Sequence, residues 1–487
     1  MTKNSLAGNN ATNNNVTNNN VTDNITAGNI VTENSGKTSV KKIEPRTLKG
    51  FRDFTPDMMI PREKLIDRVK QVYRGYGFSP IDTPVLEYLD ILTGKGSDET
   101  DKQLYRFTDS GGRQVGMRFD LTVPFARFSA QHIGQLGTPF KRYHIAKVWR
   151  GENTQAGRYR EFMQCDFDTI GTTSVLSDAE TALVINDILE RVNLTGNEPF
   201  TEFTVHLNSR KILTGLLEKI GLADKTIPVL RALDKLAKIG PEKVAAEMIE
   251  GGATETQTSS ILELASISEG TSGEKLRTLE NLLAGNDRGL EGISDLRTIF
   301  EIAEVSGVPE GRFTLDVTIA RGLDYYTGTV FETFLNKLPQ LGSVASGGRY
   351  DNLAELYTNE KLPGVGASLG LDRLFAGLEE LAMLPETFSP VKVFIPMFDP
   401  ALKADYFAIA ARLRRAGIGV EVYPEPKKLG AQLKYGDRRG FSVALIYGGD
   451  EKARGVVVIK NLKAREQTEV SLSALTEGLT EALEKIR

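Results

Sequence analysis

A long block with helical periodicity interrupts this chain between two parts that alternate like β-strands. The block covers residues 210–311, where apolar runs such as ILTGLLEKI and KLRTLENLLA repeat with helical spacing between Gly and Pro residues. Strand-like alternation precedes it in RQVGMRFD and TPFKRYHIAKVWRGE and resumes after it in FTLDVTIARGLDYYTGTVFETFL. The pattern predicts an α+β fold, with an antiparallel sheet built from residues 46–209 and 312–388 around a helical insertion.

The end of the chain has a different organisation. From residue 391 to residue 487, apolar strand-like runs alternate with helical ones, which is typical of a separate α/β domain. This part has 17 Lys and Arg against 12 Asp and Glu, a charge of +5, whereas the whole chain carries -4 and the first 390 residues therefore carry -9. A basic domain on an acidic body indicates a polyanionic partner.

The first part of the chain, residues 1–45, is dominated by Asn, Thr and Gly and contains no aromatic residue. Such a composition cannot bury enough apolar surface to offset the entropy lost on ordering, so we expect a disordered leader.

Composition excludes several classes of protein. No run approaches the roughly 20 apolar residues of a membrane span, and the N-terminus lacks the basic and apolar regions of a secretory signal, so we expect a cytoplasmic protein without membrane association. The single cysteine, Cys165, and three histidines argue against a disulfide framework or a structural zinc site.

The segment WRGENTQAGRYREFMQCDFDTIG, residues 149–171, concentrates charged groups around a Gly-containing loop between two strand-like runs. Arg150 and Arg158 lie at its two sides, and carboxylates accompany them. Guanidinium groups are planar, permanently charged and fork-shaped, which suits the clamping of phosphate. The alternative is a solvated surface hairpin held by ion pairs.

A second group of motifs follows the helical block. In IARGLDYYTGTVFE, Arg321 and Asp324 stand in an apolar strand context, which is costly unless the charges are paired or used for binding; a buried structural ion pair is the alternative. SGGRYDNL and GVGASLGLDRL then place Arg349 and Arg373 beside glycines that allow a backbone to approach a ligand closely. Together these motifs predict a glycine-rich, arginine-lined site without a P-loop.

The same motifs, in this order, resemble those of the histidyl-tRNA synthetases, which are class II aminoacyl-tRNA synthetases. The likeness covers residue 48 to the C-terminus, and RGLDYY is its most specific element. It implies an antiparallel catalytic sheet with a helical insertion, followed by an α/β anticodon-binding domain. The implied activity joins L-histidine to its tRNA, tRNA(His), with ATP and Mg²⁺ in a homodimer whose interface contains the motif 1 proline, here Pro84.

The resemblance also implies roles for individual residues. The ATP-binding residues would be Arg150, Glu152, Arg158 and Arg373. The histidine-binding residues would be Asp120, Thr122, Gln164, Asp168, Arg321, Tyr325 and Tyr326. Arg150 and Arg321 would be the catalytic pair at the α-phosphate, whereas the ligands of the metal stay unassigned.

Two other functions share this fold in relatives. One is a catalytically silent paralog that regulates the first enzyme of histidine biosynthesis; such paralogs generally lack the anticodon-binding domain and have eroded motifs. The other is a synthetase-like sensor of uncharged tRNA, as in eukaryotic stress kinases, but the chain has no HRDLxxxN kinase motif. The intact motifs therefore favour the enzyme.

Overall fold

The computed structural model describes residues 42–93, 102–154, 157–196, 198–267, 269–320, 322, 326–385 and 388–486, with the backbone of 30–31 and 39–40. The chain divides into two units, Met1–Leu48 and Lys49–Arg487. In the first unit, two short strands pair in antiparallel fashion. The rest of the leader up to residue 41 lies outside the described residues, so its disorder stays a prediction.

The strands of the described chain are labelled in chain order. They are β1 (Ile30–Val31), β2 (Ser39–Val40), β3 (Ser79–Pro80), β4 (Leu86–Tyr88), β5 (Arg106–Thr108), β6 (Gln114–Met117), β7 (Phe140–Trp149), β8 (Glu161–Ile170), β9 (Phe203–Ser209), β10 (Phe313–Leu315), β11 (Thr329–Leu335), β12 (Ala345–Tyr350), β13 (Gly364–Gly370), β14 (Val393–Ile395), β15 (Val420–Val422), β16 (Val443–Ile446), β17 (Val456–Asn461) and β18 (Gln467–Ser471).

An eight-stranded sheet forms the centre of the second unit, with its strands in the order β10-β9-β11-β12-β13-β8-β7-β3. The two outermost pairs are parallel and the inner ones are antiparallel. β3, β7, β8 and β9 come from before the helical block and β10, β11, β12 and β13 from after it, so the prediction of one sheet made from two parts of the chain is confirmed. A smaller sheet, β4-β6-β5, contains an antiparallel hairpin of β5 and β6.

Helices cover the apolar face of the large sheet. The first of them runs over Pro56–Gly75 and buries Leu65, Val69 and Val72, which recur with helical spacing. The helices of this part of the chain are Pro56–Gly75, Leu89–Thr93, Thr122–Leu136, Val175–Glu190 and Leu371–Glu380.

The block between β9 and β10 is helical, as predicted. Its helices are Arg210–Lys219, Thr226–Leu233, Leu236–Ile239, Pro241–Glu250, Glu255–Ala265, Ser272–Leu282 and Asp287–Val305. The first and last cross closely, because a Cβ added to Gly215 would lie 2.8 Å from Cα of Gly289. Apolar side chains of the block and of the sheet belong to one continuous core.

The C-terminal part has its own sheet and its own core. Its strands lie in the order β15-β14-β16-β17-β18, parallel on one side and antiparallel on the other, so the sheet is mixed. Its helices are Lys403–Arg415, Leu429–Arg438, Gly449–Arg454 and Leu475–Lys485. Within the described residues, no helix combines the length and hydropathy needed to cross a membrane.

Candidate active site

One face of β8 and of its neighbour β13 forms the floor of the site. Side chains two residues apart point to the same side of a strand, so Gln164, Asp166 and Asp168 share a face of β8. Opposite them, β13 presents the small residues Gly370, Ser368 and Gly366. A Cβ at Gly366 would lie only 2.2 Å from Oδ1 of Asp168. The glycines of this strand therefore leave room for a ligand over the carboxylates.

A cavity of about 320 Å³ lies on this floor. The nine described residues among the eleven predicted site residues all line it: Asp120, Thr122, Arg150, Glu152, Arg158, Gln164, Asp168, Tyr326 and Arg373. The other two, Arg321 and Tyr325, lie outside the described residues. The nucleotide-binding and histidine-binding positions that the resemblance implies thus share one cavity.

Other lining residues were absent from the predicted set. They include Asp166, Tyr159, Phe162, Ser368, Tyr350 and Asp372. The period of two along β8 signals Asp166, because Gln164 and Asp168 flank it on the same face. Tyr350 and Ser368 come from other strands, and only the register of the sheet brings them to the site.

Arg150 follows the last residue of β7, where the chain leaves the sheet for the hairpin loop. Its Nε donates a hydrogen bond of 3.1 Å to the backbone oxygen of Phe119. The guanidinium carbon lies 4.4 Å from the ring centre of Phe119 and 5.1 Å from that of Phe162. Two aromatic rings and one hydrogen bond therefore hold the plane of this cation at the cavity wall.

The hairpin loop after Arg150 carries two more charged groups of the cavity. Glu152 and Arg158 approach to 3.8 Å, and the Arg158 side chain is 45% exposed. Backbone hydrogen bonds from Arg150 to Arg160, and from Arg160 to Gly50, fix the base of the loop. Arg373, on the helix after β13, donates from a terminal nitrogen to the backbone oxygen of Ser343. These arginines reach the cavity from two separate elements.

A polar junction beneath these arginines connects three parts of the chain. The carboxylate of Asp372 accepts hydrogen bonds from Arg52 at 2.7 Å, from Arg62 at 2.9 Å and from the backbone nitrogen of Met163 at 2.7 Å. Arg52 also donates to the hydroxyl of Tyr159 at 2.9 Å. Asp372 precedes Arg373 and Tyr159 follows Arg158, so the junction fixes the backbone that bears both cavity arginines.

The deepest charged pair of the site joins β7 to β8. Arg142 is fully buried and forms an ion pair of 2.5 Å with Oδ2 of Asp168, while the hydroxyl of Tyr350 donates to Oδ1 at 2.5 Å. Burial raises the pKa of Asp168, and the charge of Arg142 and the hydrogen bond from Tyr350 oppose that rise. Oδ1 thus accepts a hydrogen bond, whereas Oδ2 has the ion pair with Arg142 but accepts no hydrogen bond within the described residues.

We predict that Arg142→Met destabilises the fold strongly, although methionine retains apolar bulk. The substitution leaves Asp168 buried without its cation, and breaking such a pair typically costs about 3–5 kcal/mol. Urea unfolding of this variant, compared with Arg297→Ala at an exposed surface pair, measures the loss. A decrease in the free energy of unfolding below about 1 kcal/mol would show that Asp168 is not held by this charge.

Asp120 and Thr122 reach the cavity from the start of a helix. Oδ1 of Asp120 accepts from the backbone nitrogens of Thr122 at 3.1 Å and Val123 at 2.9 Å, at the N-terminus of helix Thr122–Leu136. These contacts orient the carboxylate, as a helix cap does. The local sequence DLT therefore positions an acceptor at the edge of the cavity.

Arg349 of the SGGRYDNL motif has a structural partner. Its Nε donates to both oxygens of Asp178 at 3.1 and 3.0 Å, and its terminal nitrogens donate to the backbone oxygens of Thr172 and Ser174 at 3.0 Å. The glycine-flanked arginine thus ties β12 to helix Val175–Glu190. The glycines of the motif shape the site, whereas this arginine supports the fold.

Comparisons with known proteins agree with the motifs and the fold. A family model described as histidyl-tRNA synthetase matches residues 50–374, and one described as an anticodon binding domain matches residues 392–482.

Relatives similar to the chain over most of its length carry the same name. A histidine–tRNA ligase of Rhodopirellula baltica is 59% identical over 88% of this chain and 96% of its own, and one of Wolinella succinogenes is 43% identical over 90% and 98%. The crystal structure of histidyl-tRNA synthetase from Nostoc superposes with a TM-score of 0.82 at 34% identity, over 90% of this chain and 100% of that one. With the motif residues gathered in one cavity of this fold, these matches show that the chain belongs to the histidyl-tRNA synthetase family.

Proposed function

We propose that this chain activates L-histidine with ATP and then transfers it to the 3′-terminal ribose of tRNA(His). The observation that carries the proposal is the single cavity that contains the arginines and carboxylates of the family motifs. Family membership supports the same ligase activity. We place the enzyme in the cytoplasm, where protein synthesis consumes its product.

In the first step, the carboxylate of histidine attacks the α-phosphorus of ATP. A bond forms between a carboxylate oxygen and phosphorus, and the bond from phosphorus to the bridging oxygen breaks. Pyrophosphate leaves with that bonding pair, and histidyl-adenylate remains. No general base is required, because the attacking carboxylate is already ionised; the protein has to position two anions and neutralise the charge between them.

The arginines of the cavity fit the nucleotide. We assign Arg150 to the α-phosphate, because its guanidinium is held rigidly between two rings at the cavity wall. Arg158 and Arg373 approach from the hairpin and from the helix after β13, and we assign them to the terminal phosphates. Glu152 is assigned to the adenine amino group, following the family resemblance.

Other residues of the same cavity fit the amino acid. Gln164, Asp120 and Asp168 offer oxygen acceptors for its ammonium group, with Thr122 beside Asp120. Tyr326 also lines the cavity, packed against Gly348 of β12, and is assigned to the imidazole pocket. Tyr325 is assigned there as well, and Arg321 to the histidine carboxylate and the α-phosphate, on the resemblance alone.

We assign Mg²⁺ to the ATP complex and not to a preformed protein site. In the described part of the chain, no cluster of three His, Cys, Asp or Glu side chains has the arrangement of a metal site. Magnesium commonly keeps several waters and binds through substrate phosphates with one or two carboxylates. Glu152 is a carboxylate near the proposed phosphate positions, and the ion would neutralise phosphate charge.

Transfer to tRNA needs a second binding region, which we place in the C-terminal domain. The domain has a charge of +5, and exposed Lys434 and Arg438 lie one turn apart on helix Leu429–Arg438. Basic groups on one helical face suit a phosphate backbone. The family model of an anticodon binding domain covers this region.

Pyrophosphate exchange with each of the twenty amino acids in turn tests the activity. We expect ATP to incorporate labelled pyrophosphate with histidine alone. Absence of exchange with histidine, in protein shown to be folded, would overturn the enzymatic proposal and favour a regulatory paralog.

The exposed apolar surface near Pro84 supports a homodimer. Leu86 and Tyr88 of β4 are 44% and 56% exposed, and Phe107 of β5, in the same small sheet, is 45% exposed. An apolar patch of this kind is typical of an interface, and two-fold dimers are the commonest assembly.

We predict by light scattering a particle of twice the 53.5 kDa chain mass. Leu86→Glu combined with Tyr88→Glu should shift the population toward monomer, because two charges would enter an apolar interface. Leu176→Glu, at an exposed leucine of helix Val175–Glu190, is the matched control. A wild-type mass near 53.5 kDa over a broad concentration range would exclude the dimer.

A further inference from the structure

The hairpin loop between β7 and β8 packs against the start of helix Leu371–Glu380. A Cβ added to Gly157 would lie 3.6 Å from Cα of Arg373, which is an ordinary contact distance. Gly157 precedes Arg158 in the loop. The backbone beside Arg158 therefore touches the residue that provides the other arginine assigned to the terminal phosphates.

Arg52 makes a second connection between the same two elements. One terminal nitrogen of its guanidinium donates to the hydroxyl of Tyr159 at 2.9 Å, and the other donates to Oδ1 of Asp372 at 2.7 Å. Tyr159 follows Arg158 in the chain, and Asp372 precedes Arg373. A single planar cation thus bridges the neighbours of the two arginines.

Two aromatic rings restrict the orientation of this bridge. The guanidinium carbon of Arg52 lies 3.9 Å from the ring centre of Tyr159 and 4.4 Å from that of Phe54. Two rings and two forked hydrogen bonds fix both the plane and the direction of a guanidinium, whereas a lysine ammonium is a point charge on a flexible stem. The geometry therefore uses the shape of arginine as well as its charge.

Neutralisation of Asp372 does not account for Arg52. The carboxylate is 2% exposed and already pairs at 2.9 Å with Arg62, whose side chain is 3% exposed. Arg52, with a side chain 23% exposed, adds a second cation to this one carboxylate. Within the described residues, Arg62 forms no hydrogen bond with the hairpin loop. Arg62 thus balances the buried charge, whereas Arg52 reaches the loop.

We propose that Arg52 is a positioning residue that holds Arg158 and Arg373 at the separation required by the terminal phosphates of ATP. The inference rests on the ATP-dependent activation proposed above. Tyr159 and Asp372 line the cavity, and the effect of Arg52 reaches the nucleotide through them. A displacement of roughly 1 Å in a group that positions substrate is enough to lower a rate by about 100-fold, so such a bridge is significant.

Arg52→Lys tests the proposal in the full-length chain, because lysine keeps a charge beside Asp372 and removes the fork. Calorimetry with ATP and Mg²⁺, without histidine, measures binding in the absence of turnover. We expect the Kd for ATP to rise roughly 3- to 30-fold, the range for residues that act on a site through others. The Kd for AMP, which lacks the terminal phosphates, should not change, and the thermal unfolding temperature should stay close to that of the wild type.

Arg62→Lys is the matched control at the same carboxylate. It disturbs a fully buried pair, so it should lower the unfolding temperature more than Arg52→Lys does. The ratio of the Kd values for ATP and AMP should keep its wild-type value. A change of this ratio as large as that in Arg52→Lys would show a general disturbance of Asp372 and would overturn the inference.

Tyr159→Phe tests the route from Arg52 to the loop, because it removes the hydroxyl and keeps the ring. If both residues act through their hydrogen bond, the double variant Arg52→Lys, Tyr159→Phe should bind ATP no more weakly than the weaker single variant. Losses that multiply in the double variant would mean that the two side chains act independently, and would overturn the proposed bridge.

Two further results would contradict the role of Arg52. One is an unchanged Kd for ATP in Arg52→Lys, and the other is an equal loss of affinity for ATP and AMP. The comparison requires no histidine and no turnover. A wild-type protein silent in histidine-dependent exchange would therefore overturn the proposed function, while the two nucleotides still report the role of Arg52.

Discussion

Arg150→Ala is expected to slow histidine-dependent pyrophosphate exchange by roughly 10²- to 10³-fold, the usual effect of removing one preorganised donor from a developing oxyanion. The effect should fall on kcat at saturating ATP and histidine, because the charge that Arg150 meets grows in the transition state. The rings of Phe119 and Phe162 keep its guanidinium in place before the substrate arrives.

The fold of this variant should remain intact. Arg150 contacts a backbone oxygen and two rings, and loss of these contacts costs less than breaking a buried ion pair. Arg297→Ala, at the exposed pair with Glu280, is the matched arginine control and should leave exchange unchanged. Near-normal exchange by a folded Arg150→Ala enzyme would make this arginine structural.

Arg321→Ala should have an effect of the same size, if the two arginines neutralise the same phosphate. Substitutions of residues that act as a unit have strongly non-additive effects. The double variant should therefore catalyse exchange only slightly more slowly than either single variant. If instead the exchange rate of the double variant falls by the product of the two single factors, the two arginines act at separate steps.

The gathering of the motif residues could be predicted because many of them are close in the chain. Arg150, Glu152, Arg158, Gln164 and Asp168 belong to two adjacent antiparallel strands and their loop, and such strands pair with each other. The helical block was also predictable, since several turns of consistent periodicity distinguish helix from strand.

Contacts between distant parts of the chain were not predictable. Asp372 meets Arg52 and Arg62 across 320 and 310 positions, and nothing in the local sequence relates these segments. The pairing of Asp168 with Arg142 depends on the register of β7 against β8, and a slip of one residue would turn one of them to the other face.

That register also decides which partners each carboxylate of β8 has. From the sequence, Asp166 and Asp168 differ only by two positions in a strand. In the structure both line the cavity, but Asp168 contacts Arg142 and Tyr350 whereas Asp166 lies opposite Ser368 in the neighbouring strand. The motif therefore identifies the two carboxylates, whereas the partners of each become known only from the sheet.

Removal of the C-terminal domain is expected to abolish tRNA charging while sparing histidine-dependent pyrophosphate exchange. The apolar core of the domain is made of residues 391–486, and the core of the catalytic part ends at Leu384. A chain of residues 1–390 thus loses one core entirely and keeps the other whole. The proposed phosphate-binding residues Arg150, Arg158 and Arg373 all remain in the shorter chain.

The loss of tRNA charging should show the salt dependence expected when contacts to phosphate are removed. Each phosphate that a protein neutralises releases counterions, so the affinity of the full-length chain for tRNA should fall as salt rises, with a shallower slope after truncation. Lys434→Glu combined with Arg438→Glu in the full-length chain should reproduce part of the loss, because both side chains are exposed on one helix.

Charging and exchange have to be compared in the same preparation, after light scattering shows the oligomeric state of the shorter chain. Equal loss of both activities in a folded dimer would mean that the C-terminal domain supports the catalytic site. Full retention of charging would mean that tRNA is recognised elsewhere. Loss of charging alone, with a reduced salt slope, assigns tRNA binding to the domain in which the positive charge is concentrated, because the chemistry of the first step needs only the cavity of the large sheet.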